Sequence, residues 1–295
     1  MPLNFKSKIV NRKSKIVNPP SCLNVSENGK DIKMVYLIIC TVALVVSALT
    51  LFSGFGLGTL LMPAFAVFFP VEVAVGATAV VHLANNIFKL ALVGKMADYK
   101  VVVKFAVPAS ILAIIGALLL NYFAGTTPLA EYGFLGKPCT VTILKLVIAF
   151  LIAVFAILEL HPRFEKLAFN PRYIPLGGAL SGFFGGLSGL QGALRSAFLV
   201  RAGLAKEAFV GTSVVSAIVV DLSRLAVYGV TFYSKHLTIF HNQVGTGLVI
   251  AATLTAFFGS FLGSRLINKI TMRAIQIIVG ILLCFISIML GVGLI

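Results

Sequence analysis

Asp221 and Arg224 stand three positions apart in VVDLSRLAVYG, residues 219–229, inside an otherwise apolar run. An ionisable group within a bilayer costs about 2.5–3.5 kcal/mol on insertion scales, so such groups turn toward protein or a watery path. The first half of the chain holds a counterpart. VGATAVVHLANNIFKLALVG (75–94) lies over VGTSVVSAIVVDLSRLAVYG (210–229) without a gap, and Thr78 falls on Ser213, Asn86 on Asp221 and Lys89 on Arg224. At 100° per residue, Thr78, His82, Asn85, Asn86 and Lys89 share one helix face; Ser213, Ser216, Asp221 and Arg224 share a broader one. Cations and hydroxyls on facing stripes suit a small anion. His82, whose unperturbed pKa lies near neutrality, is the candidate for proton coupling, with Asp221 as the second.

Plainer roles compete. Lys89 and Arg224 are long enough to snorkel from near a helix end to the interface. Asp221 can simply neutralise Arg224 at i,i+3, which leaves Lys89 with the free charge. Arg195 can be an interfacial anchor as readily as a ligand, and a lone helical histidine is more often structural.

The elements that must carry these residues are helices. Of the 295 residues 59% are hydrophobic and 11% charged, with a mean hydropathy of +1.04. Apolar runs of about 20 residues cross a bilayer, and the sequence predicts helices at 34–53, 73–94, 103–122, 140–160, 174–190, 207–230, 247–266 and 275–295. Two shorter apolar pieces, 57–70 and 192–203, are predicted to be half-helices, since non-helical backbone at membrane depth survives only inside protein or beside a cavity. Each follows a glycine turn, SGFGLGTLLMP (53–63) and GGLSGLQGALRS (185–196). Such an end presents free N–H groups and a partial positive charge, which makes Gly58 and Gly192 candidate anion contacts. The competing use is close helix packing, because Gly178, Gly182 and Gly186 follow small-xxx-small spacing.

The expected fold is therefore all-α and polytopic, with about eight transmembrane helices in two tandem repeats: a basic tail (1–33), repeat 1 (34–160), a basic cytoplasmic linker (161–173) and repeat 2 (174–295). Four crossings in each half make the repeats parallel. The N-terminus, with seven Lys and Arg in the tail, is then expected in the cytoplasm. Arg265, Lys269 and Arg273 oppose that topology by falling outside. KSKIVN occurs twice in the tail, at 6–11 and 13–18, and Met34 sits where the first helix begins, so residues 1–33 are expected to be dispensable or an artefact of start-codon choice. The net charge of +15 is read as orientation signal rather than nucleic-acid affinity. Cys22, Cys40, Cys139 and Cys284 are scattered and indicate neither a disulfide framework nor a metal site.

From about residue 34 onward the chain resembles the sulfite exporter TauE/SafE family of membrane permeases. The resemblance rests on GFGLGTLLMP, on the small-residue steps GAT (76–78) and GTS (211–213), and on the repeat. The glycine run is sparser than is typical, and Ala197 stands where the first half has Pro63. The resemblance implies transport of small sulfur-containing or organic anions, such as sulfite or sulfonates, across the cell membrane.

A rhomboid-type protease would use GLSG (186–189), but His236 and His241 lie in a connection, and no histidine base is placed beside it. A non-transporting scaffold or accessory factor is the alternative function. There is no GxxxxGK[ST], so transport must draw on a gradient or on the membrane potential. The reading is a secondary transporter, not an enzyme and without cofactor, working by alternating access of one repeat against the other. Its substrate ligands are expected among Gly58, Thr78, Asn86, Lys89, Gly192, Arg195, Thr212, Ser213 and Arg224. Its partners are a small anion and the lipid bilayer, not nucleic acid; the particular anion, direction, coupling ion and oligomeric state stay open.

Overall fold

Glycine and alanine decide which of these apolar helices meet, because only they let two backbones touch. The computed structural model describes residues 29–49, 57–93, 96–134, 137–161, 169–235, 243–266 and 272–295. Among them the chain forms α1 (Gly29–Leu49), α2 (Leu57–Ala66), α3 (Val71–Val93), α4 (Tyr99–Ala124), a hairpin of β1 (Ala130–Phe134) and β2 (Lys137–Val141), and α5 (Ile143–Leu160). It continues with α6 (Ile174–Ser188), α7 (Gly192–Leu199), α8 (Lys206–Lys235), α9 (Gln243–Leu266) and α10 (Met272–Gly291). A long helix, a short one and three long ones thus occur twice in succession. α3, α4, α5, α8 and α9 are long and apolar enough to cross a membrane.

Helix directions follow from which residues touch. A methyl group on Gly178, Gly182 or Gly186 of α6 would overlap the carbonyl of Phe105, Ala109 or Ala113 of α4, in that order, so α4 and α6 run the same way. Gly259 and Gly263 of α9 meet Leu44 and Ala48 of α1, so that pair is also parallel. α5 and α10 are opposed: Gly280 lies against Ala156 and Leu160, Gly291 against Ala149, and Gly293 against Thr140. α6 and α7 form a re-entrant hairpin, with Gly177 on Phe198 and the Ser181 hydroxyl donating to the Gln191 carbonyl at 2.8 Å. α2 repeats this return, starting beside His82 and leading through residues 67–70 to the start of α3.

The all-α, polytopic architecture and both short helices are as the sequence predicts, but the hand of the halves differs. α3 and α8, which match in the sequence, run in opposite senses, with His82 beside Asp221 and Asp98 beside Thr212, and so do α5 and α10. Among the described residues the second half is therefore inverted relative to the first. Hydropathy cannot distinguish a helix that runs through from one that stops in the interior, which is why the sequence suggests parallel halves.

The β-hairpin has no signal in the apolar pattern. It pairs Ala130 with Val141 through Phe134 with Lys137, and its Tyr132 hydroxyl donates to the Val292 carbonyl, tying it to the C-terminal end. Lys145 donates from Nζ to the Thr140 carbonyl at 3.0 Å. Cys139 of β2 is disulfide-bonded, contrary to expectation, with its partner outside the described residues, whereas Cys40 and Cys284 are free. The 1–28 part of the tail, Arg163, Lys166, Lys269, His236 and His241 likewise lie outside the described residues.

Candidate functional site

α3 and α8 carry the two polar stripes, and they face each other where the re-entrant helices end. Gly58 begins α2 so close to the second glycine turn that a methyl group on it would lie 2.9 Å from the Gly189 carbonyl oxygen. Gly189 has φ +81, a left-handed conformation suited to glycine, and ends α6 by donating its N–H to the Gly185 carbonyl at 3.0 Å.

Asp221 is the centre of the contact. Its Oδ2 lies 2.6 Å from His82 Nδ1 and accepts from Asn86 Nδ2 at 3.4 Å. Its Oδ1 accepts from Gln191 Nε2 at 2.9 Å and from Arg224 Nη2 and Nε at 2.7 and 3.1 Å. A buried carboxylate must have its lone pairs engaged to persist in low dielectric, and here four side chains engage it.

Arg224 is fully committed. Beyond its two bonds to Asp221 it donates from Nη1 to the Gly185 carbonyl at 3.0 Å, and the Tyr228 hydroxyl donates to the Gly186 carbonyl. The last carbonyls of a broken helix lack intrahelical donors. Tyr228 supplies one to Gly186, and Arg224 adds a second donor to Gly185, which already accepts from the Gly189 N–H, so the arginine pins the end of α6.

Lys89 is placed otherwise. It is 5% exposed, and among the described residues it has no hydrogen-bond or ion-pair partner. Arg195, 3% exposed, acts on it as a neighbouring like charge. With Arg224 at 0%, all three cations are enclosed by protein rather than lying along its outer surface, which opposes snorkelling and interfacial anchoring. Arg195 donates from Nε to the Ser213 hydroxyl at 2.8 Å and from Nη1 to Gln191 Oε1 at 3.1 Å.

Levels along the helices group these residues. α3 and α8 run in opposite senses, since His82 meets Asp221 while the Asp98 backbone N–H, just past α3, donates to the Thr212 hydroxyl at 2.9 Å. Lys89 lies seven residues beyond His82, about 10 Å of rise. Ser216 and Ser213 lie five and eight residues before Asp221, about 7.5 and 12 Å in the same direction. Lys89, Arg195, Ser213 and Ser216 therefore share one level, and the buried Ser216 hydroxyl has no partner there. Thr78, also buried without a hydrogen bond, lies on the other side of His82.

The structure thus brings Gly58, Asn86, His82, Asp221 and Arg224 to the central contact and Lys89, Arg195 and Ser213 to one end of it. Thr212 instead holds the start of α4. Gln191, which bridges Asp221 and Arg195, and Tyr228 escaped the sequence reading. Gln191 had a signal, as an amide in an apolar glycine turn; Tyr228 had none, because tyrosine is common in membrane helices. Asn85, Ser47 and Ser260 make a separate buried cluster, with Ser47 Oγ 2.6 Å from Ser260 Oγ and Ser260 donating to Asn85 Oδ1 at 2.8 Å. Among the described residues no group of His, Cys, Asp and Glu could hold a metal ion.

Compared with known families, residues 39–290 match the family model described as Sulfite exporter TauE/SafE. No curated protein and no solved structure matches the chain.

Proposed function

The chain belongs to the sulfite exporter TauE/SafE family of membrane transporters, and from that premise we propose that it is a secondary transporter of small anions, of the sulfur oxyanion or organosulfonate class, working by alternating access. The observation that carries this is Lys89. A buried ammonium without a counter-ion is costly, and the neighbouring guanidinium of Arg195 raises that cost. A bound anion supplies Lys89 with a counter-charge and the Ser216 hydroxyl with an acceptor. Lys89, Arg195, Ser213 and Ser216 are the proposed ligands, with Asn86, Thr78 and the N–H groups at the starts of α2 and α7, at Gly58 and Gly192, reached as the site rearranges. Arg224, saturated by Asp221 and Gly185, serves the site by holding α6 rather than by touching substrate.

The absence of a nucleotide motif leaves a gradient as the energy source. The 2.6 Å contact between His82 and Asp221 supports a proton as the coupling ion, because protonation of His82 turns a hydrogen bond into an ion pair beside the substrate cations.

The inverted arrangement also supports an orientation. Among the described residues Lys100, Arg172, Arg201, Lys206, Arg265 and Arg273 all fall in or beside the helix ends on one side, which the positive-inside rule assigns to the cytoplasm of a plasma-membrane protein. Arg265 and Arg273, which oppose a parallel topology, agree with an inverted one. The hairpin end, with its disulfide-bonded Cys139, then faces the oxidising side, where such bonds persist. The start of α1 lies at that end, so its basic tail becomes the exception, in place of a cytoplasmic N-terminus.

Uptake of radiolabelled sulfite, thiosulfate and a simple sulfonate into proteoliposomes under a proton gradient tests the proposal. Saturable uptake with mutual competition is expected. Uptake equal to that of protein-free liposomes for all three would overturn the substrate class.

A further inference from the structure

We infer that the transport site opens between two helix bundles that have exchanged their fourth helices, α1, α2, α3 and α9 against α6, α7, α8 and α4, so that neither half of the sequence moves as a unit. The inference rests on the transporter reading above and specifies which bodies move.

The tightest helix contacts join opposite halves. α4 packs along α6, and α1 along α9, with backbone on backbone at Gly178, Gly182 and Gly186 and at Gly259 and Gly263. Contacts without intervening side chains have no soft element to absorb sliding, so each pair moves as one body. Polar pins extend each pair into a bundle. Asp98 at the start of α4 donates to Thr212 of α8, and Arg224 and Tyr228 of α8 hold the end of α6. On the other side Ser47 of α1, Ser260 of α9 and Asn85 of α3 form one hydrogen-bonded cluster, and Phe88 of α3 stacks on Phe257 of α9 with ring centroids 5.0 Å apart. α3 and α4, though consecutive, share little packing.

The seam between the bundles has one close backbone approach, Gly58 to the Gly189 carbonyl, and is otherwise polar. His82 and Asn86 of one meet Asp221 of the other, with Lys89, Arg195 and Ser213 alongside. Those side chains can exchange partners with water or substrate, whereas interlocked backbones cannot. Motion of one sequence half against the other would instead strip α4 from α6 and α1 from α9.

The test locks one bundle across the two halves. Ser47→Cys/Ser260→Cys, with Cys40 and Cys284 replaced by alanine, is oxidised to the disulfide in proteoliposomes, and anion flux is compared before and after. Phe88→Cys/Phe257→Cys, closed with a short dimaleimide, repeats the test at an independent α3–α9 contact and covers a first pair that fails to fold. Flux within about twofold of the uncrosslinked protein is expected for both. A loss of more than about tenfold, restored in the disulfide pair by dithiothreitol, would show that the halves separate and overturn the inference. Absence of flux in the uncrosslinked parent bears on the transporter reading instead.

Discussion

Asn86 and Asp221 occupy matching positions in the two halves of the sequence and meet in the structure, Asn86 Nδ2 donating to Asp221 Oδ2 at 3.4 Å. Their chemistry differs where their positions do not. Three residues after Asp221, Arg224 bonds that carboxylate; three residues after Asn86, Lys89 has only a neutral amide at the matching position and makes no bond to it. That one difference makes the arginine a structural element and leaves its lysine counterpart with charge to offer a ligand.

Asp221→Asn is expected to leave Arg224 and its neighbours without their acceptor. Removing one member of a buried ion pair costs about 3–5 kcal/mol, so thermal unfolding should shift down by several degrees. The double variant Asp221→Asn/Arg224→Gln should recover part of the loss, because no uncompensated guanidinium remains. A double variant no more stable than the single one would deny that the two residues are coupled.

Gly182→Ala should reduce the yield of monodisperse protein in detergent more than Ala→Gly at Ala109, the residue it meets. The added methyl overlaps a carbonyl of α4, and overpacking a close-packed contact costs about 1–3 kcal/mol. Size-exclusion profiles of the two variants decide the matter.

Single cysteines at Glu131 in the hairpin and Arg201 between α7 and α8 should be labelled from opposite sides of intact cells. A membrane-impermeant maleimide is expected to reach position 131 but to reach 201 only after permeabilisation. The reverse pattern would invert the proposed orientation.

His82→Gln should retain anion flux down the anion's own gradient and lose its acceleration by an imposed proton gradient. Glutamine can still donate to Asp221, so the contact is kept while the titrating group is removed. Equal acceleration in both proteins would assign coupling elsewhere.

The sequence placed both short helices and the ends of the long ones to within a few residues, because apolar run length and glycine turns are local properties. It also singled out His82, Asp221, Arg224 and Lys89, since charges in oily segments are conspicuous. Direction was not legible. α1 and α6 read as apolar runs like those that cross, and only the contacts of Gly259, Gly280 and Gly182 reveal which helices run together. Nor could the sequence separate Arg224 from Lys89: both are cations at one register position, and what divides them is the carbonyl of Gly185, contributed by another helix.

The proposed transport site depends most on Lys89 as the ligand of the substrate anion. Sulfite and sulfonate flux should be measured in proteoliposomes for wild type, Lys89→Arg and Lys89→Ala, beside thermal unfolding of each. At least about a hundredfold loss is expected in the alanine variant, with partial activity in the arginine variant and unfolding temperatures close to wild type for both. Flux in Lys89→Ala equal to wild type would contradict it and leave Lys89 as a buried charge without a role in binding.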